Sequence, residues 1–254
     1  MLRLLQFTDT HLFSDPQGTL RGTRTLASLQ ACLDHARARF LPADLIAVTG
    51  DLVQDDPGGY GALERLFADL GAPVLLLPGN HDLPGELLRR FPSAPFQVGG
   101  TRIAGPWAVV LLDTSFEVSG AGEGRLGPQA LQQLADELDR LRDRHVMICL
   151  HHPPVTMEAR GLDALGLADA EAFLATMNGR ANVRGVAWGH AHQSLDLLRN
   201  GARFMCTPAT CMQFKPRDPG FVIDDRPPGY RVIDLLDDGG IATEVVWLEG
   251  YERR

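Results

Sequence analysis

Five short segments, each set directly behind an apolar run, constrain this chain more than any other feature. They are Asp9-x-His11, Gly50-Asp51, Gly79-Asn80-His81-Asp82, His151-His152-Pro153-Pro154 and Gly189-His190-Ala191-His192, and six of the eight histidines fall inside them. The apolar runs at 2–7, 45–48, 74–77, 146–150 and 183–188 read as buried strands. Helix-like spacing fills the intervals at 23–40, where Leu26, Leu29, Leu33 and Ala36 share a face, and at 59–70, where Leu63, Leu66 and Leu70 do. Strand–helix–strand–helix–strand order argues for an α/β sheet. In open α/β sheets ligands sit beyond the carboxyl ends of the strands. A fold of that kind can bring all five segments to one point.

The rest of the chain continues the pattern. Strand-like runs stand at 102–104 and 108–112, helix-like spacing at 128–141 and 168–177, and further strand candidates at 194–198, 202–205, 230–236 and 242–248. The tract 216–229 is rich in Pro, Asp and Gly and reads as a long loop. No internal repeat is visible, and no linker-like tract precedes residue 206. We expect one domain over 1–254, with a β-rich C-terminal extension from about 206.

Residue types define the chemistry. Asp9, His11, Asp51, Asn80, His151, His190 and His192 offer carboxylate, amide and imidazole donors, a mixture suited to borderline divalent metals such as manganese, iron or zinc. Asp51 suits a bridging place, because its two carboxylate oxygens can contact two ions. Asn80 ligates through a neutral carbonyl oxygen. Glycine before Asp51 and before Asn80 lets the backbone turn sharply and approach an ion closely. In an extended segment His190 and His192 point to one side, one for each of two metals. His151 and His152 are adjacent, so in extended backbone only one of them faces the ions. We take His151, with His152 as outer support or packing. Two ions about 3.5–4 Å apart form the clamp that cleaves phosphate esters by in-line displacement. Singly, each segment is also an ordinary loop or core feature. Their joint occurrence at strand ends singles them out.

Composition narrows the partners. With 44% hydrophobic and 22% charged residues, the chain can bury a sizeable core. A net charge of −8 leaves no basic footprint for a polynucleotide. A small anionic substrate stays open, because bound cations dominate the local charge. Cys32, Cys149, Cys206 and Cys211 form no CxxC pair and read as buried small hydrophobes outside the ligand cluster. No secretory signal precedes Asp9, and no stretch of about 20 apolar residues is present. We therefore expect a soluble cytoplasmic protein with no membrane partner, a monomer or a homodimer.

The ordered set D-x-H, G-D, G-N-H-D, a histidine after a later strand, and G-H-x-H resembles the calcineurin-like metallophosphoesterase superfamily from Asp9 to His192. The tail Thr207-Pro-Ala-Thr-Cys-Met-Gln-Phe-Lys-Pro216, followed by Pro227-Pro-Gly-Tyr-Arg231, is similar to the bacterial class III 3′,5′-cyclic AMP phosphodiesterases. So are Gly124-Arg-Leu and the stretch 129–134. Ala209 stands where small polar residues are common in that group. The resemblance implies a four-layer α/β/β/α sandwich. It also implies two divalent or mixed-valence metal ions per chain, manganese and/or iron first, zinc or cobalt as alternatives.

By matching position, metal one takes Asp9, His11, Asp51 and His192, and metal two takes Asp51, Asn80, His151 and His190. His81 sits beside the phosphate as a catalytic residue, and Asp82 orients its ring. Asn80, His81, His11 and His192 meet the substrate. The implied reaction is hydrolysis of cyclic AMP to 5′-AMP by a hydroxide shared between the ions. His81 then protonates the leaving 3′ oxygen or stabilises the transition state. Phe214 is expected in the core, with stacking on a base as the alternative, and Lys215 is a surface charge or a phosphate contact. Two rival readings compete. One is another phosphoesterase on the same scaffold: a glycerophosphodiesterase, a nucleotide phosphatase, a phosphoprotein phosphatase or a general phosphodiesterase. The other is a non-catalytic metal-binding interaction module.

Overall fold

Alternation along the strands dictates the layers. The computed structural model describes residues 1–115 and 122–252. β1 (Leu2–Phe7) leads through a small hairpin, β2 (Thr19–Leu20) and β3 (Thr23–Arg24), into α1 (Thr25–Arg39). β4 (Leu45–Thr49), α2 (Tyr60–Phe67), β5 (Val74–Leu77), α3 (Pro84–Arg90) and β6 (Phe96–Val98) follow. The second half runs β7 (Gly100–Ala104), β8 (Trp107–Leu111), α4 (Gly127–Arg140), β9 (His145–Cys149), α5 (Arg160–Asp163), α6 (Ala170–Met177) and β10 (Val183–Trp188). The tail adds β11 (Leu195–Arg199), β12 (Ala202–Cys206), β13 (Gln213–Phe214), β14 (Ile223–Asp224), β15 (Gly229–Leu235) and β16 (Ile241–Trp247).

These strands form two six-stranded mixed sheets, in the orders β16-β15-β1-β4-β5-β6 and β11-β12-β10-β9-β8-β7. Successive residues of a strand point to opposite faces. Leu5, Ile46, Val48, Val74 and Leu76 pack on one face of the first sheet with Leu29 and Leu33 of α1 and Leu63 of α2. Their neighbours Leu4, Leu45, Ala47, Leu75 and Leu77 face Trp107, Val109, Met147, Cys149 and Ala187 of the second sheet. The far face of that sheet packs against Leu134 and Leu138 of α4 and Phe173 of α6. Three cores thus separate four layers, helices, sheet, sheet, helices, as the resemblance implies.

The apolar runs fold where expected, to within a residue or two. Three differences have physical causes. The helix expected over 59–70 ends at Phe67, and Gly71, at φ +76°, closes the following turn. The tract 216–229 is not an open loop, because β14 within it pairs with β13. Strands of two residues carry no readable alternation. The α3 and α5 helices and β6, of seven, four and three residues, are likewise too short to show a clear period. Of the tail strands, β15 lies antiparallel against β1, with Leu5 opposite Val232.

One buried network ties the two sheets at their carboxyl edges. Gln6 of β1 donates to Thr49 Oγ1 (2.9 Å) and to the carbonyl of Trp188 in β10 (3.3 Å). Thr207 donates to Gln6 Oε1 (2.6 Å) and accepts from Arg231 Nε (3.2 Å). Arg231, only 1% exposed, also donates to the carbonyls of Cys206 (2.7 Å) and Leu195 (3.0 Å). Replacing Arg231 by methionine leaves those acceptors unsatisfied in the interior. We predict a loss of about 2–4 kcal/mol and a melting temperature lower by roughly 5–15 °C. Thermal unfolding monitored by calorimetry checks it, and an unchanged melting temperature would show that the network is not structural.

Candidate metal centre

The loops leaving β1, β4 and β5 carry Asp9, His11, Asp51, Asn80 and His81, and those leaving β9 and β10 carry His151, His190 and His192. Hydrogen bonds across the sheet boundary aim them. Both oxygens of the Asp9 carboxylate accept from the His190 backbone N–H, at 3.1 and 3.0 Å. His151 Nδ1 lies 2.9 Å from the Thr49 carbonyl, and His192 Nδ1 lies 2.7 Å from the Met212 carbonyl. A carbonyl only accepts, so each Nδ1 carries the hydrogen and each Nε2 faces inward.

Two lobes result. In the first, His11 Nε2 and His192 Nε2 are 3.1 Å apart, with Asp9 Oδ1 3.5 Å from His192 Nε2. In the second, His151 Nε2 and His190 Nδ1 are 3.2 Å apart. Asp51 Oδ2 stands between the lobes, 3.3 Å from His151 Nε2 and 3.7 Å from His11 Nε2. The sequence suggested that Asp51 bridges with two oxygens. The structure turns one oxygen to both lobes, because Oδ1 accepts from the His81 N–H at 2.9 Å. Asn80 Oδ1 is buried with no hydrogen-bond partner among the described residues. Buried polar atoms left without partners need an explanation, and a ligated cation supplies one. The donor set fits two borderline divalent ions.

The backbone at these positions is strained. Asp9 (φ +53°), His11 (+43°), Asp51 (+50°), His190 (+64°) and His192 (+48°) all adopt the left-handed region. Each such non-glycine residue costs on the order of 1 kcal/mol or more. The extended geometry expected for His190-x-His192 is therefore absent. The two rings reach different lobes because the chain turns at each of them. Gly79 has another reason to be glycine: a Cβ there would overlap Asp51 Oδ1 and stand 2.6 Å from His151 Nε2.

Other assignments change. Asp82 does not orient the His81 ring. Its carboxylate turns inward and accepts from the N–H groups of Leu52 (3.0 Å), Val53 (3.3 Å) and Gly79 (2.9 Å) and from Tyr60 Oη (3.0 Å), stapling two ligand loops together. Burial, then the nearby Asp51 charge, push the Asp82 carboxyl up to about 7, while those donors favour its charged form. His81 Nδ1 instead meets Asp55 Oδ2 at 3.0 Å, and the same oxygen accepts from Gln54 Nε2 at 2.9 Å. Sequence spacing gave no signal for Asp55, which lies 26 residues before the ring it holds. His152 Nδ1 is 2.7 Å from Thr114 Oγ1, a supporting contact. Cys211 does join the cluster, contrary to expectation. A ligand atom of Cys211 lies within 4.8 Å of ligand atoms of His11 and His192, and its thiol donates to the Asp9 carbonyl at 3.3 Å.

Electrostatics distributes one proton to each lobe. Burial lowers the His151 pKa, but Asp51 beside it outweighs burial and holds it up at about 9. Burial likewise opposes charge on His192, and Asp9 lifts it well above its ordinary value. Burial, reinforced in turn by His151, takes His190 down to about 3. Burial brings His11 to about 4, against the pull of Asp51. Each lobe then pairs a protonated with a neutral imidazole across an N–H···N contact. The lobes open into a cleft of about 660 Å³.

The sequence model of the calcineurin-like phosphoesterases matches residues 2–194. A 3′,5′-cyclic adenosine monophosphate phosphodiesterase of Vibrio vulnificus is 37% identical over 252 residues, which cover 96% of this chain and 89% of that one. Its counterpart in Escherichia coli strain K12 is 36% identical, with the same coverage of 96% and 89%. Among solved structures, a dimetal phosphatase from Danio rerio superposes with a TM-score of 0.65 at 15% identity, covering 91% of this chain and 92% of its own. That likeness concerns the fold. Among the described residues, no helix is long and apolar enough to cross a membrane.

A cation entering either lobe must displace the proton held there. The folded pKa of His151 is about 9, so below that pH the proton competes and metal affinity falls as pH falls. We predict release of about one proton per manganese ion bound near pH 7. Calorimetric titrations in buffers of different ionisation enthalpy measure it. Enthalpies independent of buffer would contradict the assignment.

Proposed function

The chain belongs to the calcineurin-like phosphoesterase family, and on that premise we propose that it hydrolyses 3′,5′-cyclic AMP to 5′-AMP. The observation that carries the reaction type is the single Asp51 oxygen set between two histidine lobes beneath an open cleft. Near-full-length similarity to cyclic AMP phosphodiesterases supports the substrate. Within this reading Asp9, His11, Asp51 and His192 hold one ion, and Asp51, Asn80, His151 and His190 hold the other. Manganese and/or iron suit the donors, with zinc or cobalt as alternatives. When bound, the ions supply a water of lowered pKa and offset charge on the phosphoryl oxygens.

The protein's own groups do the rest. Asn80, His81, His11 and His192 surround the phosphate. Asp55 takes the Nδ1 hydrogen bond of His81 and fixes the ring, leaving Nε2 as its free atom. A proton carried on Nε2 passes to the departing 3′ oxygen. Asp82 holds the loops that carry Asp51 and His81 and takes no part in the proton transfer. We propose that the chain works as one domain. Its partner is the small diester and no polynucleotide, in keeping with the charge of −8. The four cysteines are free and buried, which fits a reducing compartment, and we place the protein in the cytoplasm.

Turnover of metal-loaded wild type and His81→Ala on a panel tests the reading. The panel holds cyclic AMP, cyclic GMP, 2′,3′-cyclic AMP, a glycerophosphodiester and an aryl phosphate. We expect the highest kcat/KM on cyclic AMP, and a drop in kcat of about 10²–10⁴ in His81→Ala with two metals retained. Preference for the glycerophosphodiester or the aryl phosphate would replace the proposed substrate. Loss of metal in His81→Ala would overturn the role of that residue.

A further inference from the structure

Part of the cleft wall is built from elements that carry no ligand. Two small hairpins meet there. The β2–β3 hairpin presents Arg21, and the β13–β14 hairpin presents Phe214 and Phe221. Leu162 and Leu165, from α5 and the turn after it, complete the wall.

Phe214 has no free face. Its ring packs on His192 at 4.9 Å, the Arg21 guanidinium lies over it at 5.6 Å, and Phe221 stands edge-on to it at 5.4 Å and 70°. With 8% exposure it is a spacer, not a stacking platform. Phe221 differs. It is 37% exposed on the cleft wall, so an apolar ring face stands in water.

Arg21 is equally unusual. It is the only arginine or lysine among the described residues lining the cleft. It occupies the turn of its hairpin at φ +47°, beside Gly22 at +84°, a conformation that favours glycine or asparagine. No carboxylate pairs with it among the described residues. Lying over Phe214, its guanidinium uses a π face, and among the described residues no hydrogen bond engages its N–H donors. A strained cation beside an exposed aromatic ring and an aliphatic wall matches a flat heteroaromatic ligand with acceptor atoms at its rim.

We propose that Phe221, Arg21, Leu162 and Leu165 form a nucleobase subsite, in which the base stacks on Phe221 and accepts a hydrogen bond from Arg21. This rests on the cyclic-nucleotide reading above and names what recognises the part of the substrate that does not react. Phe221 and Arg21 are specificity-determining residues; neither touches the reacting atoms.

Adenosine, which has a base and no phosphate, and inorganic phosphate, which has no base, separate the two ends of the cleft. Their affinities are measured by calorimetry on the manganese-loaded full chain, as wild type, Phe221→Ala, Phe221→Tyr and Arg21→Gln. KM and kcat for cyclic AMP are measured alongside. We expect Phe221→Ala and Arg21→Gln each to weaken adenosine about tenfold and to raise KM for cyclic AMP more than they lower kcat. Phe221→Tyr restores the stack and the affinity. Inorganic phosphate should weaken far less than adenosine in Phe221→Ala. No adenosine binding by wild type, equal binding by wild type and Phe221→Ala, or parallel loss of adenosine and phosphate would overturn the subsite. Adenosine binding that depends on Phe221 in a protein that does not cleave cyclic AMP would sink the substrate proposal and leave the subsite standing.

Discussion

Hydrogen bonds across the seam between the two sheets hold everything else in place. The Asp9 carboxylate grips the His190 backbone, His151 is anchored on the Thr49 carbonyl, and Gln6 reaches Trp188. Each joins the carboxyl edge of one sheet to that of the other. Three candidate ligand loops belong to the first sheet and two to the second. Without this seam neither lobe would be complete, because His11 meets His192, and Asp51 meets His151, only across it.

Strain at the site is the counterpart of that rigidity. Five of the seven candidate ligands sit at positive φ, each against its intrinsic preference. What offsets the cost is local zipping. The N–H groups of Asp9, His11 and Leu12 bond to the carbonyls of Gly50, Asp51 and Leu52, at 3.0, 2.8 and 3.0 Å. Asp82 adds three backbone bonds and a tyrosine hydroxyl that tie the second of these loops to the one after β5. Three ligand loops are thus stitched together before any ion binds, so less ordering remains for binding to bring about.

The sequence was readable where information is local. Apolar runs of four to six residues become strands at their expected places, since burial on both faces leaves a continuous hydrophobic signature. Ligand types behind those runs were readable for the same reason. Contacts between distant residues were not. Nothing near His81 in sequence reveals that Asp55 rather than Asp82 holds its ring. Nothing around Cys211 reveals that its turn folds back beneath Asp9. The choice of one Asp51 oxygen for both lobes follows from a backbone N–H 30 residues away. The two hairpins of the cleft wall were invisible because strands of two residues have no period.

In the proposed reading one carboxylate oxygen, Asp51 Oδ2, is shared by two cations. Anomalous diffraction from crystals grown with manganese measures this most directly. We expect two peaks about 3.5–4 Å apart with Asp51 Oδ2 between them, one beside His11 and His192, the other beside His151 and His190. A single peak, or two peaks with Asp51 bound to only one of them, would contradict it.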